Sequence, residues 1–348
     1  MLNIGIIGVG GIAQTHIRML KKVEQAKICA ICDINEERLQ KVGDQLEIPT
    51  SHRFTDYKDL IACPDVQAVE ICTPNYLHIP MAMDVVRAGK AVEIEKPLSV
   101  DYNDVEALLQ LIEEKGVVNM TCFSYRFRPA VRYARQLIQE GKLGDIIHAN
   151  VAYLKSSGFW AGRRLDWRFE KQYAGCGVIG DLGVHLMDMV SYLAGEYKSV
   201  YASTDIIVKQ RQKLDSDDYA PVETEDVAMV LATLKGGAKV NFQVSRCAIG
   251  NSNTIRFEMY GTKGMLRLDI DKPNELELCM GTGTKDKEIV ETITVPDGYD
   301  VSQEETFVRA ALGEKLAWLP DVAEGAKCQK FIDAMLESAR TDSVVRMD

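Results

Sequence analysis

Apolar residues in the first third of the chain fall into short runs, each closed by a glycine or an acid and followed by a stretch with helical period. Asn3-Ile4-Gly5-Ile6-Ile7 is the first run; glycines at 8, 10 and 11 break it, and Ile12, Ile17 and Leu20 then recur on one helical face. A second run, Ile28 to Cys32, stops at Asp33. Val66–Cys72, Ala91–Ile94 and Val117–Phe123 read as further buried strands. Helices predicted over Leu77–Ala88 and Asp101–Glu114 separate them and close at Gly89 and Gly116. Such alternation predicts a doubly wound parallel sheet.

The pattern changes after about residue 145. Apolar and polar residues alternate over Ile146–Leu154, Val227–Leu234, Ala238–Val244, Thr254–Tyr260 and Met265–Ile270, with turn chemistry at Lys235-Gly236-Gly237 and Gly261-Thr262-Lys263-Gly264. These runs predict an open, mainly antiparallel sheet. Helical stretches are expected over Pro129–Gln139, Gly180–Leu193, Gln303–Leu312 and Asp321–Ala339. The fold class is therefore α/β with two domains, residues 1–124 and 125–348. The boundary is open between 124 and 146, because the helix at Pro129 suits either half, and the C-terminal helix can pack back on the first domain.

Glycine spacing gives the first domain a chemistry. Gly8 permits a tight turn after the first strand, Gly10 lets backbone approach a pyrophosphate, and Ala13 is small enough for helix to pack on strand. With Gly11 and Ile12 they open a helix whose N-terminus favours phosphate. Asp33 stands at the position that binds a ribose diol, which marks a Rossmann dinucleotide site and favours NAD over NADP; Arg38 nearby softens that preference.

A chain of 348 residues can build two substantial cores, and its formal charge of −10 argues against nucleic acid and anionic membrane as partners. Its apolar runs are too short to span a bilayer, and the N-terminus lacks the basic segment of a signal peptide. Nine scattered cysteines suit a reduced, cytoplasmic protein. Cys29 and Cys32 share a predicted strand, where residues three apart face opposite ways, so they read as core thiols.

Polar residues gather where the first-domain strands end. Thr73-Pro74-Asn75 with His78 follows one strand, Glu95-Lys96-Pro97 the next, and Ser124-Tyr125-Arg126 the last. Pro97 stops the ladder beside Lys96, a position equally open to a solvated lysine. Asp181 and His185, four apart on a predicted helix with Asp188 a turn further, form a second polar group that could handle a proton. The same spacing suits an N-cap with a core histidine, or two metal ligands; no further ligand group supports a metal. Trp160, Arg163, Arg164, Asp166, Trp167 and Arg168 form an aromatic and basic run that is either a sugar-specificity segment or a surface loop.

Taken together, the Gly8–Ala13 turn, Thr73-Pro74-Asn75 with His78, Glu95-Lys96-Pro97, and Asp181 with His185 resemble the Gfo/Idh/MocA family of NAD(P)-dependent oxidoreductases. Tyr125-Arg126-Phe127-Arg128-Pro129 resembles another of its signatures, and the likeness spans essentially the whole chain. It implies hydride transfer at a CH–OH carbon of a sugar or cyclitol, and a C-terminal sheet that mediates homodimers or homotetramers. Lys96, Asp181 and His185 match the family's catalytic set, with Lys96 or His185 as the acid–base group. Thr73, Asn75, His78 and Glu95 are expected on the cofactor, and Tyr125, Arg126, Trp160, Arg164, Trp167 and Arg168 on the substrate. The Asp-Trp-Arg-Phe run is similar to that of members acting on pyranosides and anhydrosugars, which points to a secondary sugar hydroxyl such as C3. Inositol 2-dehydrogenase, keto-sugar reductase and an NAD-binding regulator without turnover are the alternatives; the intact trio counts against the last.

Overall fold

The structure, a computed structural model, describes residues 1–281 and 288–347. The chain divides into two compact units, Met1–Cys122 with Ser302–Gln329, and Phe123–Val301 with Lys330–Asp348.

In the first unit six parallel strands run in the order β3-β2-β1-β4-β5-β6. They are β1 Leu2–Ile7, β2 Ala26–Cys32, β3 Arg53–Phe54, β4 Ala68–Ile71, β5 Ala91–Ile94 and β6 Asn119–Thr121. Helices α1 Ala13–Leu20, α2 Glu36–Gln45, α3 Tyr57–Ala62, α4 His78–Arg87 and α5 Val105–Lys115 connect them. Strand order reverses between β1 and β4, and in such sheets ligands lie beyond the strand ends at that reversal. The core is dense in β-branched residues: Ile4, Ile6, Val69, Ile71, Val92 and Ile94 are all essentially inaccessible. Strands covered on both faces call for this continuous apolar character.

The second unit opens with α6 Pro129–Gln139, β7 Ile146–Leu154, α7 Lys171–Ala174 and α8 Val184–Ala194. Strands β8 Tyr197–Asp205, β9 Gln210–Gln212, β10 Tyr219–Pro221, β11 Val227–Leu234, β12 Lys239–Ser245, β13 Thr254–Gly261, β14 Gly264–Asp269, β15 Glu275–Met280 and β16 Glu291–Thr294 follow. The chain ends with α9 Gln303–Ala311, α10 Val322–Thr341 and β17 Val345–Arg346. Nine strands form one sheet, β16-β15-β14-β13-β7-β12-β11-β8-β17, and β9 pairs with β10 separately. The large sheet is antiparallel except where β7 meets β12. Alternation along β11 buries Ala228, Val230, Ala232 and Leu234 and leaves Met229 and Leu231 exposed. Tyr197 of the covered face stacks on Phe331, ring centroids 3.6 Å apart, and its hydroxyl donates to the Met187 carbonyl at 2.8 Å.

Three features depart from the sequence expectation. Ser302–Gln329, drawn in the second domain with only its C-terminal helix expected to be able to pack back on the first, belongs to the first unit. Its anchors are specific: Thr121 N–H donates to Pro320 at 2.8 Å, Val322 N–H to the Asn119 side chain at 2.8 Å, and Val322 and Ala326 enter the first core. The helix expected over Gly180–Leu193 is two pieces, a π-helical turn Ile179–Gly183 and then α8. Strands β8 and β15, and the short β3, β9, β10, β16 and β17, were not predicted, although Glu275-Leu276-Glu277-Leu278 of β15 does alternate polar and apolar residues. Cys29 and Cys32 lie on β2 as expected, and burial raises their thiols to about 11 and about 12, outside the range of reactive thiolates.

Candidate active site

The glycine turn closes β1 at the strand-order reversal. Gly8 has φ +85°, and a Cβ there would sit 2.8 Å from the Cys72 carbonyl, so only glycine fits. Gly10 and Gly11 are different: a Cβ on Gly10 would meet nothing closer than an Arg38 nitrogen at 3.8 Å, and on Gly11 nothing within 4 Å. Open space beside two bare backbone positions is the cradle that a pyrophosphate requires. Ala13 is fully buried against the sheet, while Ile12 remains exposed.

Asp33 is fixed beside that turn. One carboxylate oxygen accepts Val9 N–H at 3.0 Å, and the other accepts Asn35 N–H at 2.9 Å. Arg38, half exposed, donates to it at 3.3 Å. The acid is thus aimed and partly balanced by its own neighbour, a donor set that fits an NAD ribose.

The loops after β4 and β5 are tied together. His78 is buried, with Nδ1 2.9 Å from the Pro97 carbonyl and Nε2 2.9 Å from that of Thr73. Burial lowers its pKa, against the pull of the two carbonyls. Expected to touch the cofactor, the ring instead sits between the Thr73 and Pro97 carbonyls, to one of which its single N–H donates. Glu95 is likewise engaged, by His16 at 2.9 Å and by Lys96 N–H at 3.0 Å. Asn75 is buried, and Lys96 is partly exposed at the end of β5.

In the second unit the π turn carries Asp181 and α8 carries His185. Short π segments occur often where a side chain must be re-aimed. Glu225 holds the turn from below: its Oε1 accepts Gly177 N–H at 2.8 Å and Ile179 N–H at 3.0 Å. Arg246, buried against Asp226 at 3.1 Å, donates to the Glu225 carbonyl at 2.7 Å. His185 is 8% exposed, and the Tyr125 ring meets it edge-on at 4.7 Å. Tyr125 and Tyr153 hydroxyls lie 3.0 Å apart, and Tyr153 donates to Asn253 at 2.9 Å. Burial, then Tyr125, pushes the Tyr153 phenol far up, so it stays a neutral donor.

Arg126, expected on substrate, is buried and salt-bridged to Asp188. Its role is to register the Tyr125 turn against α8. The Trp160–Arg168 run is a mixture. Trp160 is 60% exposed, whereas Arg164 donates to the Lys213 and Leu214 carbonyls at 3.2 and 3.1 Å. Arg168 stacks on Trp167 at 4.5 Å. Arg163, Arg211 and Arg246 surround the buried Phe169 ring, at 4.9, 4.3 and 5.0 Å from its centroid. Tyr153, Asn253, Glu225 and Arg246 were missed from sequence because their partners lie tens of residues away and no local motif marks them.

Comparison with known proteins identifies the family. Residues 2–123 match the oxidoreductase family with NAD-binding Rossmann fold, and residues 131–267 match the GFO/IDH/MocA C-terminal domain. Levoglucosan dehydrogenase of Pseudarthrobacter phenanthrenivorans is 28% identical, over 99% of this chain and 97% of its own. An uncharacterized oxidoreductase of Synechocystis is 30% identical over 78% of this chain and 72% of its own. A solved levoglucosan dehydrogenase in complex with NADH and L-sorbose superposes with TM-score 0.91 at 27% identity, covering 100% of this chain and 99% of that one. The chain belongs to the Gfo/Idh/MocA family: it is an NAD-binding oxidoreductase, a dehydrogenase of CH–OH groups.

Proposed function

We propose that the protein oxidises a secondary hydroxyl of a pyranose sugar or sugar derivative, at C3. The observation that carries this reading is the polar and aromatic group of the second unit. His185 is flanked by Tyr125, the Tyr125–Tyr153–Asn253 hydroxyl line adds donors and acceptors, and Asp181 occupies the adjoining turn. Aromatic faces with hydrogen-bonding edges suit a sugar ring. Full-length likeness to levoglucosan dehydrogenase supports a sugar over a cyclitol.

Bound NAD supplies the hydride acceptor, and the protein supplies geometry and proton handling. Gly8, Gly10, Gly11 and Ile12 would hold the pyrophosphate, Asp33 with Arg38 the adenosine ribose, and Thr73 and Asn75 the nicotinamide side. His185 takes the hydroxyl proton through an imidazole nitrogen as the carbon is oxidised. In the first unit, Lys96 would donate from Nζ to a substrate oxygen and stabilise its developing charge; in the second, Asp181 would orient the sugar. Trp160 and Trp167 present ring faces for specificity. These residues are the set by which we expect the reaction to run in either direction.

The nine-stranded sheet leaves one face open, with Met229 46% and Leu231 61% exposed beside Tyr201, Asn241 and Asn150. We assign this face to a second copy of the chain, as a homodimer or homotetramer, which light scattering measures directly. All nine cysteines are free, which fits a cytoplasmic protein. No helix among the described residues is long and apolar enough to cross a membrane.

The test mixes purified protein with NAD and separate pyranoses, pyranosides, anhydrosugars and inositols, following NADH absorbance with product mass. NADH formation with a pyranose-type sugar and a product two mass units lighter is expected. Turnover confined to inositols would move the assignment to a cyclitol dehydrogenase. NAD binding with no turnover of any substrate, in either direction, would favour a regulator. Lys96→Ala should abolish turnover while NAD affinity is kept.

A further inference from the structure

Strands β4 and β5 carry the same tetrapeptide, Ala-Val-Glu-Ile, paired in register from Ala68–Ala91 to Ile71–Ile94. Register places Glu70 and Glu93 side by side on one face of the sheet, and neither has any solvent exposure. Glutamates are almost never buried so fully without partners. The partner comes from α1. His16, 3% exposed, sets Nδ1 3.1 Å from a Glu70 oxygen and Nε2 2.9 Å from a Glu95 oxygen.

A neutral imidazole has one N–H and one lone pair. Between two carboxylates it would satisfy one and turn its lone pair on the other. An imidazolium donates to both, with hydrogen bonds strengthened by charge on either side. The second Glu95 oxygen accepts Lys96 N–H at 3.0 Å. We propose that His16 is held as an imidazolium and is a positioning residue, locking Glu95, and through it the Lys96 backbone, to the helix that begins at the phosphate turn. The inference rests on reading Lys96 as catalytic.

The surroundings sustain the charge. Facing His16 are Glu70 and Cys72 from the β4 side, Glu93 and Glu95 from β5, Cys122 after β6, and Glu304 on α9. Burial works against a charged ring, but the Glu70 and Glu95 carboxylates bonded to it outweigh that and hold His16 well above the ordinary histidine range. Burial likewise opposes ionisation of Glu95, and His16 and Lys96 still draw it below its usual value. Glu93 goes the other way: burial and the Glu70 charge push it well up, and Gln303 and Cys122 donate to its Oε1 at 2.8 and 3.3 Å. Burial keeps Cys72 and Cys122 as thiols and raises Glu304. One imidazolium thus bridges Glu70 and Glu95, with Glu93 as a neutral acid beside them.

The test is a histidine NMR titration of the NAD-free protein with triple-resonance assignment, joined to kinetics of His16→Gln. The chain has five histidines, so ring signals are few. The His16 ring should remain doubly protonated well above the pH at which an ordinary histidine loses its charge. His16→Gln should lower kcat on the order of ten- to a hundredfold, the scale of a small misplacement of a reacting group, with KM and NAD affinity nearly unchanged. A neutral His16 ring, or one that titrates in the ordinary range, overturns the proposal. So does an unchanged kcat in the variant. The wild-type titration decides the charge even where the variant fails to fold. Absence of turnover with every sugar would sink the sugar assignment but leave the NMR result standing.

Discussion

The ion pair between Arg126 and Asp188 offers a direct test of how the second unit is held in register. Arg126 and Asp188 are 4% and 1% exposed; Arg126 Nε donates to one Asp188 oxygen at 3.2 Å and Nη2 to the other. The guanidinium also lies over the Tyr192 ring at 4.5 Å, and Arg135 lies over the same ring at 4.2 Å. Asp188→Asn keeps size and shape but leaves the Arg126 charge buried without its counter-ion. Such breakage costs about 3–5 kcal/mol, because the charge that remains is desolvated and unbalanced. For a unit of this size that is a fall on the order of 10 °C in its melting temperature. Replacing both, as Arg126→Met with Asp188→Leu, should recover most of the loss, since neither charge is then stranded. Calorimetry on the wild type, Arg126→Met, Asp188→Leu and the double variant gives the coupling energy. The function follows the same pair: Arg126 neighbours Tyr125, whose ring meets His185, and Asp188 lies one helical turn beyond His185. The Asp188→Asn protein should therefore lose kcat as well as stability. The reasoning fails if Asp188→Asn melts within 2 °C of the parent, about the margin of 1 kcal/mol, or if the double variant is no more stable than the single.

Three further outcomes are expected. Glu93 has a raised pKa in the fold, so its contribution is fully present below the ordinary glutamate value of about 4.3 and is lost as pH rises toward the folded value, at about 1.36 kcal/mol per unit. Denaturant unfolding should accordingly find Glu93→Gln level with wild type near pH 4 and increasingly more stable above it; a constant gap would contradict a neutral Glu93. Gly177→Ala places a Cβ 2.0 Å from the Glu225 carbonyl oxygen, a backbone atom that cannot yield cheaply. It should cost roughly 1–3 kcal/mol or more in thermal melts and depress turnover through the Asp181 turn. Asp33→Ser removes the acid we assign to the ribose and frees Arg38, so calorimetric titration should show the NAD-to-NADP affinity ratio falling by at least about tenfold, the scale of a charge-assisted hydrogen bond.

How much was legible in the sequence depended on range. The β1–turn–α1–β2 unit and the strand ends at Thr73 and Lys96 are local signals, with glycine, proline and apolar runs inside some thirty residues of one another. The large sheet was legible as alternating strands but not in its order, since β7 pairs with β13 and β12 a hundred residues away, once antiparallel and once parallel. That the C-terminal helix could return to the first domain was an expectation, but that the return begins at Ser302 had no local signal, because its anchors are Asn119 and Thr121 some two hundred residues earlier. Within the site, Asp181 and His185 were read on one helix; the π turn that separates them follows from Glu225 binding two backbone N–H groups, a contact no helical period can reveal. His16, Glu70 and Glu93 carried a signal that went unread: an acid in the middle of an otherwise apolar strand, twice over.

That repetition bears on how the chain finds its fold. Two neighbouring strands with identical Ala-Val-Glu-Ile sequences have little in their apolar residues to tell one alignment from the next. A slip of one residue would turn Glu93 to the opposite face, beside Val69 and Ile71 of β4 and away from Gln303 and Cys122. Only one alignment lets His16, Gln303 and Cys122 receive both acids. The buried carboxyls therefore act as a key cut into two otherwise interchangeable strands, admitting a single alignment before any ligand arrives.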